Sequence, residues 1–528
     1  MTDPAPHPRR TGPLITAGVV FCLLTALAYA AWRTCAGAAG RGRALAAQEP
    51  AERLGTIAFP NSGAPEAQAD FVRGVLLLHS FEYGTAVASF RAAQARDPGF
   101  ALAYWGEALA YTHPLWNEQD SVAARAALAR LAPTPAARAA RAGSHRERMY
   151  VEAVEALYGG GSKPARDTLY ARAMDRLVAA HPEDDEARAF RALALMGLSQ
   201  GIRDVPTYVR AGAEALELFG RHPDHPGAAH YVIHAFDDPT HAPIALPAAR
   251  AYSRIAPAAA HAQHMTTHIF LALGMWDDVV AQNVLAAGPD SGRWGPGHYT
   301  AWLGYGLLQQ GRFDDARRHL VRVRDQLGPA GPDRARGYLL AMLAEYVVNA
   351  ERWDAPELAW AIPTPSGWGA ARAAALFAQG EAARRRGDRR AAEAALAEIR
   401  ALSGRIGPGA DAELVRAQVA VMGDELEGLL LLESGRADQG LALLRSAARR
   451  DEALPVEFGP PSVVKPAYEL LGEQLLLAGK AVEAQAAFTR SLEIHPGRIR
   501  SLEGLSRAAT ATGDSAAVQR ATALLPRP

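Results

Sequence analysis

At 528 residues the chain exceeds one ordinary domain, and a hydrophobic fraction of 49% excludes a disordered polymer. Lys plus Arg and Asp plus Glu number 56 each, so the formal charge is zero; without a clustered basic footprint, no nucleic-acid partner is expected. The two cysteines, Cys22 and Cys35, both lie in the first 35 residues, which excludes a disulfide framework or a CxxC knuckle from the remainder.

The N-terminus reads as a targeting device. Residues 1–13 carry Arg9 and Arg10 and are expected to stay cytoplasmic, ahead of a dense apolar run at 14–32. Nineteen helical residues span about 28 Å, close to the hydrocarbon thickness of a bilayer. This predicts a single-pass anchor in the bacterial inner membrane, with everything after it extracytoplasmic. Ala28-Tyr29-Ala30 also offers a small-x-small cleavage site, so a removable signal peptide, leaving a periplasmic or secreted protein, competes with the anchor. Residues 33–60, rich in Gly, Ala, Pro and Arg, read as a linker.

From residue 65 onward the pattern is helix after helix, punctuated by Gly and Pro, with no convincing alternating strand. Phe71, Gly74, Leu77, Ala86, Phe90, Ala93 and Pro98 form a large–small core pattern: small residues let paired helices approach, large ones fill the gap, and proline stops the second helix. Tyr104, Ala108 and Tyr111 begin a further unit. Segments 120–132, 134–158 and 163–180 are helical but irregular in length. Gly274-Met275-Trp276-Asp277-Asp278 is echoed by Gly311-Arg312-Phe313-Asp314-Asp315 as a turn between the two helices of one unit. Gly328 to Pro332 is the candidate boundary between an array at 61–327 and a second at 333–528. The clearest unit of the second array is Tyr468, Leu471, Gly472, Leu475, Gly479, Ala484, Phe488, Ser491 and Pro496. Loops at 361–369, 403–411 and 455–465 are expected at the rims.

Seven of the sixteen histidines fall between His225 and His268, and His230 and His234 recur as His264 and His268, each 34 residues on. With the core pattern above, this period resembles the tetratricopeptide repeat, in the manner of exported bacterial repeat proteins with a His-rich centre. The resemblance implies an all-α solenoid of helical hairpins, behind its transmembrane or signal helix. It implies a protein or peptide partner in a concave groove, and it carries over no activity.

In the helix at 226–238, Ala229, Val232, Ile233 and Phe236 form an apolar stripe, and His230, His234 and Asp237 or Asp238 follow it about 100° round. Histidines four apart on a helix can converge on one atom. The next inner helix carries His261, His264 and His268 on one face, and a 37-residue shift maps His261 onto His298. Two such pairs on facing helices can supply a four-nitrogen site for a divalent transition metal, zinc or copper, with Asp237 ligating or orienting a ring. His79 and His113, also 34 apart, extend the candidate groove with Trp105 and Tyr305. Three readings stay open: a metal-assisted binding groove, a metalloenzyme on the same histidines, and an assembly scaffold without metal. The sequence has no HExxH, phosphate loop, dinucleotide-binding glycine signature, GxSxG elbow or CxxCH.

Overall fold

Helix punctuation is written locally. Asp120, Ser144, Asp184, Asp204, Asp388 and Asp514 each cap a helix by accepting a backbone N–H two or three residues on. Pro135, Pro164, Pro206 and Pro226 stand in first turns, where a missing N–H costs nothing. Glycines in the left-handed region close the turns inside hairpins; Gly274 and Gly311, at φ +69° and +70°, are the two expected from the Gly-x-aromatic-acidic motif. A computed structural model describes residues 53–526, apart from 201, 289–294, 329–330, 410 and 457. The anchor expected at 14–32 and most of the linker lie outside the described residues. No described helix is long and apolar enough to cross a membrane.

The regular structure of the described residues is almost wholly α-helical, from Gln68–His79 to Ser515–Leu524, and successive helices pack against their neighbours in sequence. The two ends of the stack repeat one packing device. Phe90 lies against Gly74 of the preceding helix, where a Cβ would come within 2.7 Å, and against Gly106 of the following one. Phe488 does the same between Gly472, at 2.9 Å, and Gly504. Glycine is required there because the ring occupies the volume of a methyl group.

Two details differ from the expectation. The helix read at 134–158 is broken into Pro135–Ala139 and His145–Leu157, because Ser144 caps a new start by accepting from Glu147 N. A two-residue antiparallel pair, Thr112–His113 with Glu118–Gln119, frames a short turn that presents Trp116. The helices Phe313–Leu327 and Asp333–Ala350, on either side of the Gly328–Pro332 segment, pack together.

The end of the chain returns to its middle. Trp276 Nε1 donates to Gly497 O at 2.8 Å, Ile499 N donates to Gln309 Oε1 at 3.1 Å, and Arg498 reaches Tyr305 OH at 3.0 Å. Gly274 and Gly497 meet backbone to backbone, so neither tolerates a Cβ. This closure brings Phe458, on the loop expected at a rim, against His234 and His268 at ring distances of 6.1 and 6.0 Å.

Candidate metal centre

The helix Pro226–Ala235 is buried on every side, so its apolar stripe and its histidine face both meet neighbouring elements. His230 and His234 converge with His261, from the helix Ala260–Ala272, so that ring nitrogens of all three lie within 4.8 Å of one another. His264 and His268 converge in the same way with His298, the first residue of His298–Gln309. The grouping differs from the expected one: each i,i+4 pair takes its third ring from another helix instead of joining the other pair. The second triad is the first carried forward by 34, 34 and 37 residues.

Hydrogen bonds settle which nitrogens are available. His230 Nδ1 donates to His79 O at 2.6 Å, which leaves Nε2 with the lone pair, buried and without a partner. His264 Nδ1 donates to Asn283 Oδ1 at 2.7 Å; the amide is oriented by Asn283 Nδ2 donating to Val279 O at 2.9 Å. His268 Nδ1 faces Asp237 Oδ2 at 2.5 Å. With both Nδ1 atoms turned to acceptors, the Nε2 atoms of His264 and His268 stand 3.2 Å apart. Two nitrogens bound to one tetrahedral zinc at about 2.0–2.1 Å would stand about 3.3 Å apart. Neither ring nitrogen of His234 has a partner, nor does His261 Nε2. Buried polar atoms are rarely left unsatisfied, and a cation is one way to satisfy imidazole lone pairs.

Electrostatics point the same way. Burial, reinforced by neighbouring charged groups and imidazoles, pushes His298 down to about 3; burial likewise holds His230 at about 3 against the His79 carbonyl. Burial also holds His234, His261 and His264 well below the ordinary imidazole value. These rings are neutral at neutral pH, the form that ligates.

The residues around the triads include several that periodicity did not reveal. Arg203 is buried and bridges Ala235 O, Asp237 O and Asp238 Oδ2, so it anchors the backbone that carries Asp237. Phe81 lies over His230 at 4.3 Å. A third cluster, His79 with Glu186 and His225, is built differently. His225 Nδ1 accepts the Ala228 N–H at 3.1 Å, so its Nε2 carries hydrogen and faces Glu186 Oε1 at 3.2 Å. His79 Nδ1 takes the Tyr231 hydroxyl at 2.9 Å, and Nε2 donates to Glu186 Oε2 at 2.7 Å. His79 Nδ1, His79 Nε2 and His225 Nδ1 are engaged by the protein, while His225 Nε2 and Glu186 Oε1 face each other without a hydrogen bond, so this cluster is held by Glu186 instead of standing open like the triads. Its place is beneath the carbonyl that orients His230.

The remaining expected groove residues lie elsewhere. Trp105 is core, fully buried edge-on to Phe59, Tyr150 and Phe190. His113 stacks on Tyr83 at 3.9 Å, outside both triads. Tyr305 faces Trp276 and Arg498 and does not line the cleft beside the triads. Trp302 packs on His268 at 4.3 Å. A cleft of about 510 Å³ opens beside the triads, lined by His234, His261, His268 and His298 together with Trp116 and Phe458.

No family model matches this sequence, and no curated protein matches it. Among solved structures, similarity is found to the human IFIT1 dimer with m7Gppp-AAAA, at 12% identity and a TM-score of 0.36, covering 89% of this chain and 91% of that one. The human IFIT1 dimer with PPP-AAAA is similar at 11% identity and a TM-score of 0.35, covering 85% and 89%. At those scores the likeness assigns this chain neither a ligand nor an activity.

Proposed function

We propose that this chain is a tetratricopeptide-like repeat protein that binds divalent transition metal, zinc or copper, on its paired histidine triads and uses the metal to hold a ligand in the adjoining cleft. The observation that carries the reading is the set of buried ring nitrogens without partners, together with the 3.2 Å approach of two Nε2 atoms, the spacing of two ligands on one ion. Three neutral imidazoles per ion would leave a coordination position for a ligand. The ligand is a small molecule or a side chain of a protein partner, as the size of the cleft suits. The apolar run at 14–32 behind Arg9 and Arg10 supports tethering at a membrane with the repeats outside the cytoplasm.

The full chain, purified without a chelating tag and loaded with zinc or copper, should carry two metal ions by mass spectrometry. His234→Ala should remove one and His268→Ala the other, with the helical circular dichroism unchanged. Less than about a tenth of an ion per chain after loading would refute the reading.

A second reading, hydrolysis by a metal-activated water, is favoured by the three-ligand geometry alone. Turnover of an activated ester by the zinc-loaded protein, lost in His234→Ala and His268→Ala, would support it.

A further inference from the structure

Both triads open onto one cleft: His234 and His261 of the first and His268 and His298 of the second share its wall. Rings of the two triads approach to 5.8 Å between His234 and His268, and to 6.3 Å between His261 and His264. We infer that the triads act as one paired-cation centre whose ligand is an oxyanion, the head of a small molecule whose apolar body lies between Trp116, Met265 and Phe458. This rests on the reading that the triads hold metal.

The first argument is charge. Two divalent ions on six imidazoles bring four positive charges into a buried site, where an unbalanced charge is costly. Among the described residues, Asp237 is the carboxylate hydrogen-bonded to a triad ring. Asp238, its neighbour, is paired with Arg203. Asp411 lines the cleft, and Glu82 accepts the backbone N–H of His261 at 3.2 Å. Asp411 is exposed and Arg334 adds positive charge near His298, so these carboxylates leave an excess of positive charge that an anion from outside lowers. A carboxylate has two oxygens to place, one for each ion.

The second argument is the wall. Apart from its histidines and Asp411, the cleft is lined by Leu115, Trp116, Ile202, Met265 and Phe458, with Asn117 and Gln200, the latter's amide turned to Asp167. That surface offers little to a bare inorganic anion and much to an organic acid. Trp116 is 39% exposed, which leaves an aromatic face free at the mouth.

The third argument is backbone strain. Four described non-glycine residues have positive φ: Phe81, Asn117, Gln200 and Glu351. Asn117 and Gln200 line this cleft, and Phe81 covers His230 from behind. Such conformations cost about 1–3 kcal/mol each for residues other than Asn, which tolerates them, and gather at functional sites; Gln200 is fixed in place by Nε2 donating to Asp167 Oδ2 at 2.8 Å.

The test uses the full chain loaded with cobalt(II), whose visible bands report a change of ligand, and titrates benzoate, benzamide and acetate. Two cobalt ions should bind per chain, benzoate should shift the bands, and it should bind at least tenfold more tightly than benzamide. Trp116→Ala should bring benzoate down to the level of acetate without changing the metal content. Two ions bound with no spectral response, or with benzamide binding as tightly as benzoate, would overturn the oxyanion inference and leave the metal reading standing. A single ion per chain would overturn the paired centre. Absence of any metal would remove the metal reading itself.

Discussion

Replacing Glu186 with alanine puts the frame beneath the first triad to a quantitative test. The carboxylate is fully buried and faces two imidazole N–H groups, His79 Nε2 at 2.7 Å and His225 Nε2 at 3.2 Å, the second a less linear contact. Burial alone would push the carboxyl up; His225 and then His79 outweigh it and hold it down to about 2. A fall from the ordinary carboxyl value to about 2 corresponds to about 3 kcal/mol of preference for the ionised form in the folded state. The hydrogen bond supplies part of this, since leaving His79 Nε2–H without an acceptor costs about 1–3 kcal/mol. Glu186→Ala should therefore lower the unfolding free energy at pH 7 by about 3–4 kcal/mol. Because the folded value is depressed, this contribution is present above the ordinary carboxyl value and is lost as pH falls toward 2. The gap between wild type and variant should narrow across that window. Glutamine should cost less: His79 can move its proton to Nδ1 with the Tyr231 hydroxyl turning to accept, although His225 cannot adjust because its Nδ1 takes the Ala228 N–H. Urea unfolding followed by circular dichroism at pH 7, 5 and 4 gives the three curves. An alanine variant within 1 kcal/mol of wild type at pH 7, or a gap that widens on acidification, would refute this account of the cluster.

Three further outcomes are expected. Asp237→Asn, which replaces the charged partner of His268 Nδ1, should weaken metal at the second triad about 10–100-fold in a chelator competition and leave the first triad unchanged. Gly106→Ala and Gly504→Ala, which drive a methyl into Phe90 and Phe488, should each cost about 1–3 kcal/mol by urea unfolding; stability equal to wild type would contradict the wedge. Arg498→Met removes the grip on Glu469 through Nε at 2.6 Å and Nη2 at 2.9 Å and leaves Lys465, at 3.1 Å, as its cation; it should cost about 1–3 kcal/mol in the same assay. Met in place of Glu469 as well should recover part of that loss, because Lys465 keeps Glu473 at 2.5 Å.

What the sequence determined by itself is whatever repeats along the chain. The spacing of Phe71, Gly74, Phe90 and Pro98, and of Leu471, Gly472, Phe488 and Pro496, marks helical hairpins, because a wedge ring needs a glycine opposite it and a proline ends the helix behind it. The six triad histidines were also legible, since i,i+4 spacing and the 34-residue recurrence place them on corresponding faces. How those rings are grouped was decided by the tertiary structure: the rotation of one helix against the next sets which ring meets which, and periodicity does not encode it. Trp105 shows the same limit, because its place in a repeat does not say which of its faces Phe59, Tyr150 and Phe190 will cover. Glu186, Asn283 and Arg203 carried no sequence signal, for they act through partners 19 to 107 residues away, as in His264–Asn283 and His79–Glu186. The closure of the stack is a matter of tertiary contacts alone: Trp276 with Gly497, 221 residues apart, brings Phe458 over the histidines and turns a helical face into an enclosed site.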